Sequence, residues 1–244
     1  MSGLKFCESI QPTLLEHEAR TIMGFVDDID SEGEVSHDAR DVQAIMDSNA
    51  STGLTLNPHK CEITARNFNI VDQFPIFHNF KRIAFEDITL LGAPVLEGRT
   101  VDNALKDKIV TLERSITRLS TFQTHDALCL LKNSIAMPKL LYILRTSPCA
   151  NNPLLQVFDM KLKEGLQTIL NVELSDLQWK QASLPVHMGD LGVRSACMQA
   201  TSAFLASAVA TLPLQEAILS SSLAGVDDKA VSIAKAVGLI CPIR

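Results

Sequence analysis

The sequence lacks any uninterrupted apolar run of the roughly 18 residues that a membrane-spanning helix needs. Residues 1–8 contain no long apolar core, so they resemble neither a secretory signal peptide nor a transit peptide. These absences predict a chain that contacts no membrane and stays inside the cell, in the cytoplasm or the nucleus. The composition, with 46% hydrophobic and 20% charged residues, is typical of a globular protein that buries a sizeable core.

Paired-cysteine motifs are also missing. None of the six cysteines forms a Cys-x-x-Cys pair; they stand at positions 7, 61, 129, 149, 197 and 241. In a chain without a secretory signal, scattered cysteines are typical of free, buried thiols. His59 and Cys61 could point the same way on a strand, but no second pair completes a zinc site.

The chain has no overall excess of positive charge, since its net charge is −6. The distribution is uneven. Residues 1–60 hold 4 Lys and Arg against 11 Asp and Glu, whereas residues 99–194 hold 12 against 9. The acidic part suits cation binding and the weakly basic part could face a phosphate backbone, although ordinary solvated surfaces would show the same counts.

The first hundred residues show mainly strand and turn patterns. Residues 21–30 form a β-prone run that ends in acids, and residues 38–51 carry apolar side chains at helical spacing before Gly53 closes the helix. Asn57-Pro58 is a turn signal. Residues 61–95 then predict a small antiparallel sheet from short β-prone pieces, at Phe68–Val71, Phe74–Phe77 and Ile88–Leu91.

After Pro94 the pattern becomes helical. An apolar stripe runs through residues 101–121, and a second helix is predicted from Thr124 to Arg145, with a kink or break at Pro138. Asn152 and Pro153 supply a cap and a first-turn proline for a third helix that reaches residue 170. Further helices are predicted over residues 194–211 and 213–238. The buried positions of the first and third helices are predicted to include Leu105, Leu112, Leu119, Phe158, Leu166 and Ile169.

The change of pattern places a domain boundary near residues 95–100, and no internal repeat or low-complexity tract occurs. The fold class is therefore predicted to be α+β. Residues 1–97 would form a small antiparallel sheet with a helix, and residues 98–244 a helical region with a helical tail.

The adjacent acids Asp27 and Asp28, which follow the apolar Phe25 and Val26, are the residues that give the most information about a possible catalytic site. Two carboxylates at the tip of an apolar strand need a turn, solvent or a cation to offset their charge. Polymerases with a palm domain present such a pair to two Mg²⁺ ions, which prefer carboxylate oxygens. By itself, an Asp-Asp pair is more often a plain polar turn.

A calcium hand is an alternative for the same acids. Asp28, Asp30, Glu32 and Gly33 match the first positions of such a loop, but the last ligand position holds Ala39 instead of a bidentate glutamate. The segment before the loop is also strand-like, whereas a calcium hand begins with a helix.

Several motifs follow one another in order along the chain. Phe25-Val-Asp-Asp28 is followed by Gly53-Leu-Thr-Leu-Asn-Pro-His-Lys-Cys-Glu62 and by a Leu-Gly motif, Leu90-Leu-Gly-Ala-Pro-Val95. Further motifs are Ser2–Pro12 at the start, and Pro138–Pro148 and Leu184–Ser195 downstream. This ordered set, over about residues 2 to 210, resembles the reverse transcriptases of LINE-like, non-LTR retrotransposons. It implies the end of a palm domain followed by a helical thumb, and RNA-directed DNA synthesis on an RNA template with a DNA primer.

The resemblance implies roles for single residues. Asp27 would bind both Mg²⁺ ions and Asp28 would support the turn or the second ion. Lys60 would lie near the incoming triphosphate, or be a solvated lysine after a turn. The other implied contacts are Leu91 and Gly92 with the primer backbone, and Arg145 and Arg194 with duplex phosphates. A simple hairpin turn and helix-end capping would explain those four residues equally well.

The chain also departs from the family. The family's first catalytic aspartate and its fingers lie upstream of the matched segment, and Gly189-Asp-Leu-Gly192 replaces the usual Gly-Gly-Leu-Gly. A two-metal site without one of its main carboxylates is expected to be nearly inactive, so the chain is interpreted as a truncated fragment of the enzyme. The alternatives are a domesticated, non-enzymatic module that binds nucleic acid or protein through the thumb, and a non-functional remnant.

Overall fold

The computed structural model describes residues 21–25 and 28–218. These residues are mostly helical with a few short strands, which is the α+β class that the sequence predicts. The chain divides into two compact units, Met1–Phe85 and Glu86–Arg244. The boundary that the sequence places near residue 97 lies inside the second unit.

The first unit begins with a β-hairpin. Strands β1, Thr21–Phe25, and β2, Asp28–Glu32, pair antiparallel with Phe25 opposite Asp28, as the sequence predicts. Helix α1, Val35–Thr52, follows and starts a few residues earlier than expected. Gly53 ends it in the left-handed region with φ 75, where a residue without Cβ is favoured.

The predicted antiparallel sheet over residues 61–95 is confirmed only at Ile88–Leu91, where Thr89–Leu90 pairs antiparallel with Ala93–Pro94. The rest of that prediction is wrong. Strand β3, Glu62–Ile63, instead pairs in parallel with β4, Lys81–Arg82. Phe68–Val71 is a short helix, α2, because the side chain of Asn67 caps it by accepting a hydrogen bond from the amide of Asn69. The residues from Pro75 to Phe77 form a 3₁₀ turn that the proline starts.

Aromatic packing explains why these segments turn instead of extending. Val71 and Phe77 are buried together with Ala39 of α1, and the rings of Phe74 and Phe80 meet Phe77 edge to face. Helical and 3₁₀ turns place side chains three residues apart on one side, which lets the phenylalanines share one cluster.

In the second unit, the described residues up to 218 form a short hairpin and then six α-helices. The hairpin consists of β5, Thr89–Leu90, and β6, Ala93–Pro94. The helices are α3, Arg99–Leu119; α4, Thr124–Leu130; α5, Met137–Thr146; α6, Leu154–Leu170; α7, Asp176–Ala182; and α8, Ala196–Ile218.

Helices α3 and α6 contribute the largest part of the core. All six side chains that the sequence places inside are buried in one cluster: Leu105, Leu112, Leu119, Phe158, Leu166 and Ile169. The predicted apolar stripe of α3 is therefore confirmed. Helix α6 begins one residue later than predicted, with Pro153 as its N-cap residue. The side-chain oxygen of Asn152 still accepts a hydrogen bond from the amide of Leu154, the first helical residue, at 2.9 Å.

The predicted break near Pro138 is confirmed. A π-helical turn, Leu131–Ile135, follows α4, and Ala136 then leaves helical geometry with ψ −105. Pro138 lies in the first turn of α5, where its missing amide hydrogen breaks no helical hydrogen bond. The single helix predicted from Thr124 to Arg145 is thus two helices joined by the π turn.

Two predictions about the C-terminal part need correction. Helix α7 was not predicted, although Ser175 and Gln178 form a capping box that marks its start. Helix α8 runs through Pro213 without ending, so the predicted break between residues 211 and 213 is wrong. The rest of the predicted helix 213–238 lies beyond residue 218, outside the described residues.

Two helical stretches, Thr124–Thr146 and Ala196–Leu214, are long and apolar enough to cross a membrane by length and composition. Neither is an uninterrupted apolar run in the sequence, because isolated polar residues interrupt both. Core helices of soluble proteins meet the same two criteria, and Leu131, Leu140 and Leu144 of the first stretch are fully buried.

Candidate nucleic-acid interface

The hairpin at the acidic pair has the backbone geometry that the sequence predicts. Asp28 is the first residue of β2, directly opposite Phe25. Asp27 falls in the two-residue link between the strands and lies outside the described residues. A two-residue link is the shortest common connection of antiparallel strands, which agrees with adjacent acids at the tip of a hairpin.

The structure excludes the calcium hand. The loop positions from Asp28 to Glu32 are a paired β-strand, and a strand instead of a helix precedes them. Among the described residues no group of three or more histidine, cysteine or acidic side chains could hold a metal ion. His59 and Cys61 therefore gain no further ligand there, and the thiol of Cys61 contacts the carbonyl oxygen of Asn57 at 3.3 Å instead.

Asp27, the residue expected to bind both Mg²⁺ ions, lies outside the described residues. The residue expected near the triphosphate, Lys60, ends a 3₁₀ turn, Pro58–Lys60, that the side chain of Asn57 caps. The lysine is exposed. Its position suits a solvated residue and a phosphate ligand equally well.

The Leu91–Gly92 turn has an unusual backbone. Both residues connect β5 to β6 with positive φ, 49 for Leu91 and 76 for Gly92, which is the geometry of a tight type I′ hairpin. Glycine adopts this conformation readily, but a leucine in the left-handed region costs on the order of 1 kcal/mol. Leu91 is nevertheless 51% exposed, so core packing does not compensate for the cost.

Helix α5 holds this hairpin at two points. The hydroxyl of Tyr142 donates a hydrogen bond to the carbonyl oxygen of Leu91 at 2.7 Å, at the tip. The hydroxyl of Ser147, the residue after α5, donates to the carbonyl oxygen of Pro94, also at 2.7 Å, at the base. Ser147 is buried and Tyr142 is 47% exposed, so the base belongs to the core and the tip to the surface.

The arginines expected at duplex phosphates are both exposed. Arg145 lies in the last turn of α5, one turn after Tyr142, and Arg194 lies just before α8. Within residues 29–214 neither forms an ion pair with an acidic side chain. Arg145 thus belongs to the helix that contacts the Leu91–Gly92 turn, three residues after Tyr142.

A buried carboxylate at the start of α8 was not predicted from the sequence. Asp159 of α6 is 8% exposed and accepts hydrogen bonds from the Ser195 hydroxyl at 2.6 Å, the Ala196 amide at 2.6 Å and the Cys197 amide at 3.1 Å. The negative charge compensates the unpaired amides and the positive end of the helix dipole. This contact fixes the direction in which α8 leaves Arg194.

Two thiols are held in their neutral form. Burial raises the pKa of Cys149 to about 11, and desolvation together with the nearby Asp159 carboxylate raises the pKa of Cys197 to about 11. A thiol is nucleophilic only as the thiolate, so neither residue is a nucleophile at neutral pH. The four described cysteines are free, as predicted, but only Cys149 is buried; Cys61 is half-buried, and Cys129 and Cys197 are exposed.

A cavity of about 340 Å³ opens between the start of α3, the loop before α6 and the middle of α8. Its charged lining residues, Glu97 and Asp102, are both acidic. Asp102 accepts a hydrogen bond from the side chain of Asn152 at 2.6 Å, which ties the loop to α3. An acidic lining repels phosphate, so this cavity is unfavourable for a nucleotide that is bound without a cation.

Comparison with protein-family models, with curated proteins and with solved structures found no match.

Proposed function

We propose that the chain is the C-terminal part of a reverse transcriptase of the LINE-like, non-LTR type, comprising the end of the palm and the thumb. In this proposal its own contribution is to hold nucleic acid. The catalytic pair Asp27 and Asp28 would contribute ligands for Mg²⁺, which supplies the Lewis acid of nucleotidyl transfer, only with further carboxylates.

The observation that carries the proposal is the Leu91–Gly92 turn. At this position the resemblance implies a contact with the primer strand, and the structure has a tight, exposed hairpin whose tip is fixed to α5. A rigid turn with a glycine permits close approach of a sugar-phosphate backbone. The mostly helical second unit suits a thumb, and the antiparallel hairpin with Asp28 at the start of its second strand suits the end of a palm.

A second candidate is a module that binds protein instead of nucleic acid. The segment between α7 and α8 favours it, because Leu184, Val186, Met188 and Leu191 are all exposed. Adjacent exposed apolar side chains are more typical of protein interfaces than of phosphate contacts.

A titration with fluorescently labelled RNA–DNA duplex tests the proposal. We expect weak binding whose dissociation constant rises about tenfold to a hundredfold between about 50 and about 200 mM salt, because few phosphates are neutralised. Replacing Arg145 or Arg194 by alanine should weaken binding and lower the salt dependence. The matched control is Arg114→Ala on α3, which removes the same charge from an exposed position elsewhere.

Absence of duplex binding at the lower salt concentration would contradict the proposal and favour the protein-binding module. Equal losses from Arg145→Ala and the Arg114→Ala control would show that total charge, and not the interface, decides binding.

A further inference from the structure

The left-handed conformation of Leu91 has one visible restraint outside its own hairpin. The carbonyl oxygen of Leu91 accepts a hydrogen bond of 2.7 Å from the hydroxyl of Tyr142, which is the sole tyrosine of the chain. Around Gly92 there is open space, since a Cβ added there would meet no atom within 4 Å. The tip of the turn is thus held from α5 and open on its other side.

The hydrogen bond at the tip is separate from the core. The base of the hairpin is fixed by the buried hydroxyl of Ser147, and Ala93 and Pro94 of β6 are buried. Tyr142 is 47% exposed, and a half-exposed hydrogen bond adds little to folding stability because water competes for both groups. Its main effect is therefore on the conformation of the turn.

The exposed face of α5 continues the surface that begins at the turn. Lys139, Tyr142 and Arg145 follow one another at three-residue spacing and are all exposed. Within residues 29–214 neither Lys139 nor Arg145 has an acidic ion-pair partner. Two cations without acidic partners, on either side of an exposed aromatic ring, suit phosphates and stacked bases.

We propose that Tyr142 is a positioning residue that holds the Leu91–Gly92 turn against α5 and joins both into one surface for a nucleic-acid strand. The inference rests on the proposed function. It extends that function by adding Lys139 and Tyr142 to the expected nucleic-acid contacts. It also assigns to the hydroxyl of Tyr142 the role of holding the turn in place.

The test removes only the hydroxyl, in Tyr142→Phe. Amide hydrogen exchange at Gly92 and Ala93 is measured together with affinity for labelled RNA–DNA duplex at fixed low salt. We expect exchange at the turn to become severalfold faster and the dissociation constant to rise about threefold to tenfold, with the melting temperature nearly unchanged. The matched control is Thr146→Val, which removes an exposed hydroxyl one turn further along α5, where it donates to the helix itself.

A rescue variant separates positioning from general damage. Asparagine tolerates the left-handed region better than leucine does, so Leu91→Asn in the Tyr142→Phe background should recover part of the lost affinity. Lys139→Ala should weaken binding severalfold, whereas Lys106→Ala, an exposed charge on α3, should change it less.

The outcomes distinguish the two proposals. If the wild-type chain binds duplex, and Tyr142→Phe changes neither the dissociation constant nor amide exchange at the turn, this inference is wrong. The proposed function is then unaffected. A wild-type chain that binds no duplex overturns the proposed function and the nucleic-acid surface together.

Discussion

The carboxylate of Asp159 accepts a hydrogen bond of 2.6 Å from the hydroxyl of Ser195, and both side chains are buried. The two residues belong to different elements, α6 and the start of α8. One carboxylate therefore satisfies a side chain and two amides at a helix end that would otherwise be buried without partners.

Replacement of Asp159 by alanine is expected to lower the free energy of unfolding by roughly 2–4 kcal/mol, because it leaves buried donors unsatisfied. Asp159→Asn should lose less, since the amide keeps one acceptor oxygen. Urea unfolding measures both. The control Asp107→Asn, at an exposed position of α3, should stay within about 0.5 kcal/mol of wild type. Equal stability of Asp159→Ala and the control would contradict the role given to this carboxylate.

Gly165 of α6 lies against Ile116 of α3, and a Cβ at residue 165 would come within 2.7 Å of Ile116 Cγ1. Gly165→Ala is therefore expected to destabilise the protein by about 1–2 kcal/mol, despite the better helix propensity of alanine. In an Ile116→Ala background the same change should instead stabilise by about 0.5–1 kcal/mol, because the space is free. A double-mutant cycle measures this reversal of sign. Purely additive effects would show that the two helices do not meet closely here.

The buried thiol of Cys149 predicts a pH dependence. Its pKa in the folded chain is raised to about 11 from an ordinary 9.0, so the folded state favours the neutral thiol. Its contribution to stability is complete below pH 9 and is lost as the pH rises through 11, by at most about 2–3 kcal/mol. The free energy of unfolding, measured between these pH values, should therefore fall less in Cys149→Ala than in wild type. If it falls equally in both proteins, other groups cause the loss of stability at alkaline pH.

The 244-residue chain, expressed alone, is expected to give no primer extension on an RNA template with Mg²⁺ or Mn²⁺. Two divalent ions about 4 Å apart repel strongly, and several carboxylates must offset that repulsion. In the reverse transcriptases that the sequence resembles, one of these carboxylates belongs to the segment upstream of the matched region. Asp27→Asn should then change nothing. If the wild-type chain extends a primer and Asp27→Asn abolishes that activity, this prediction is wrong. Another acid would then have to complete the metal site, and Asp30 and Glu32 are the nearest in sequence.

The sequence correctly predicted the helices and turns that are specified by residues close together in the chain. The stripe of α3 placed Leu112 correctly because helical spacing repeats over five turns. Gly53 marked the end of α1 because glycine is the residue most favoured in the left-handed region. The prediction of strands between Phe68 and Phe77 was wrong because the structure of this segment depends on how its side chains pack. Its aromatic residues favour strands by composition, whereas their packing into one cluster favours turns.

The candidate interface was predicted only in part. Motif order pointed to Leu91, Gly92 and Arg145, but no pattern in the sequence indicated that Tyr142 reaches the turn, because 51 residues separate it from Leu91. The same limit applies to Asp159, whose partners lie 36 to 38 residues further along the chain. Contacts of this kind follow from how helices pack, which periodicity does not encode.

The close approach of α3 and α6 at Gly165 and Ile116 has an evolutionary consequence. A larger residue at 165 costs less stability after position 116 has become smaller, so the two substitutions have a preferred order in time. In descendants of this sequence a change at 165 should therefore follow a change at 116, and intermediates with two large residues should be rare. The pair would serve as a marker of shared ancestry in chains too divergent for their surface motifs to be aligned.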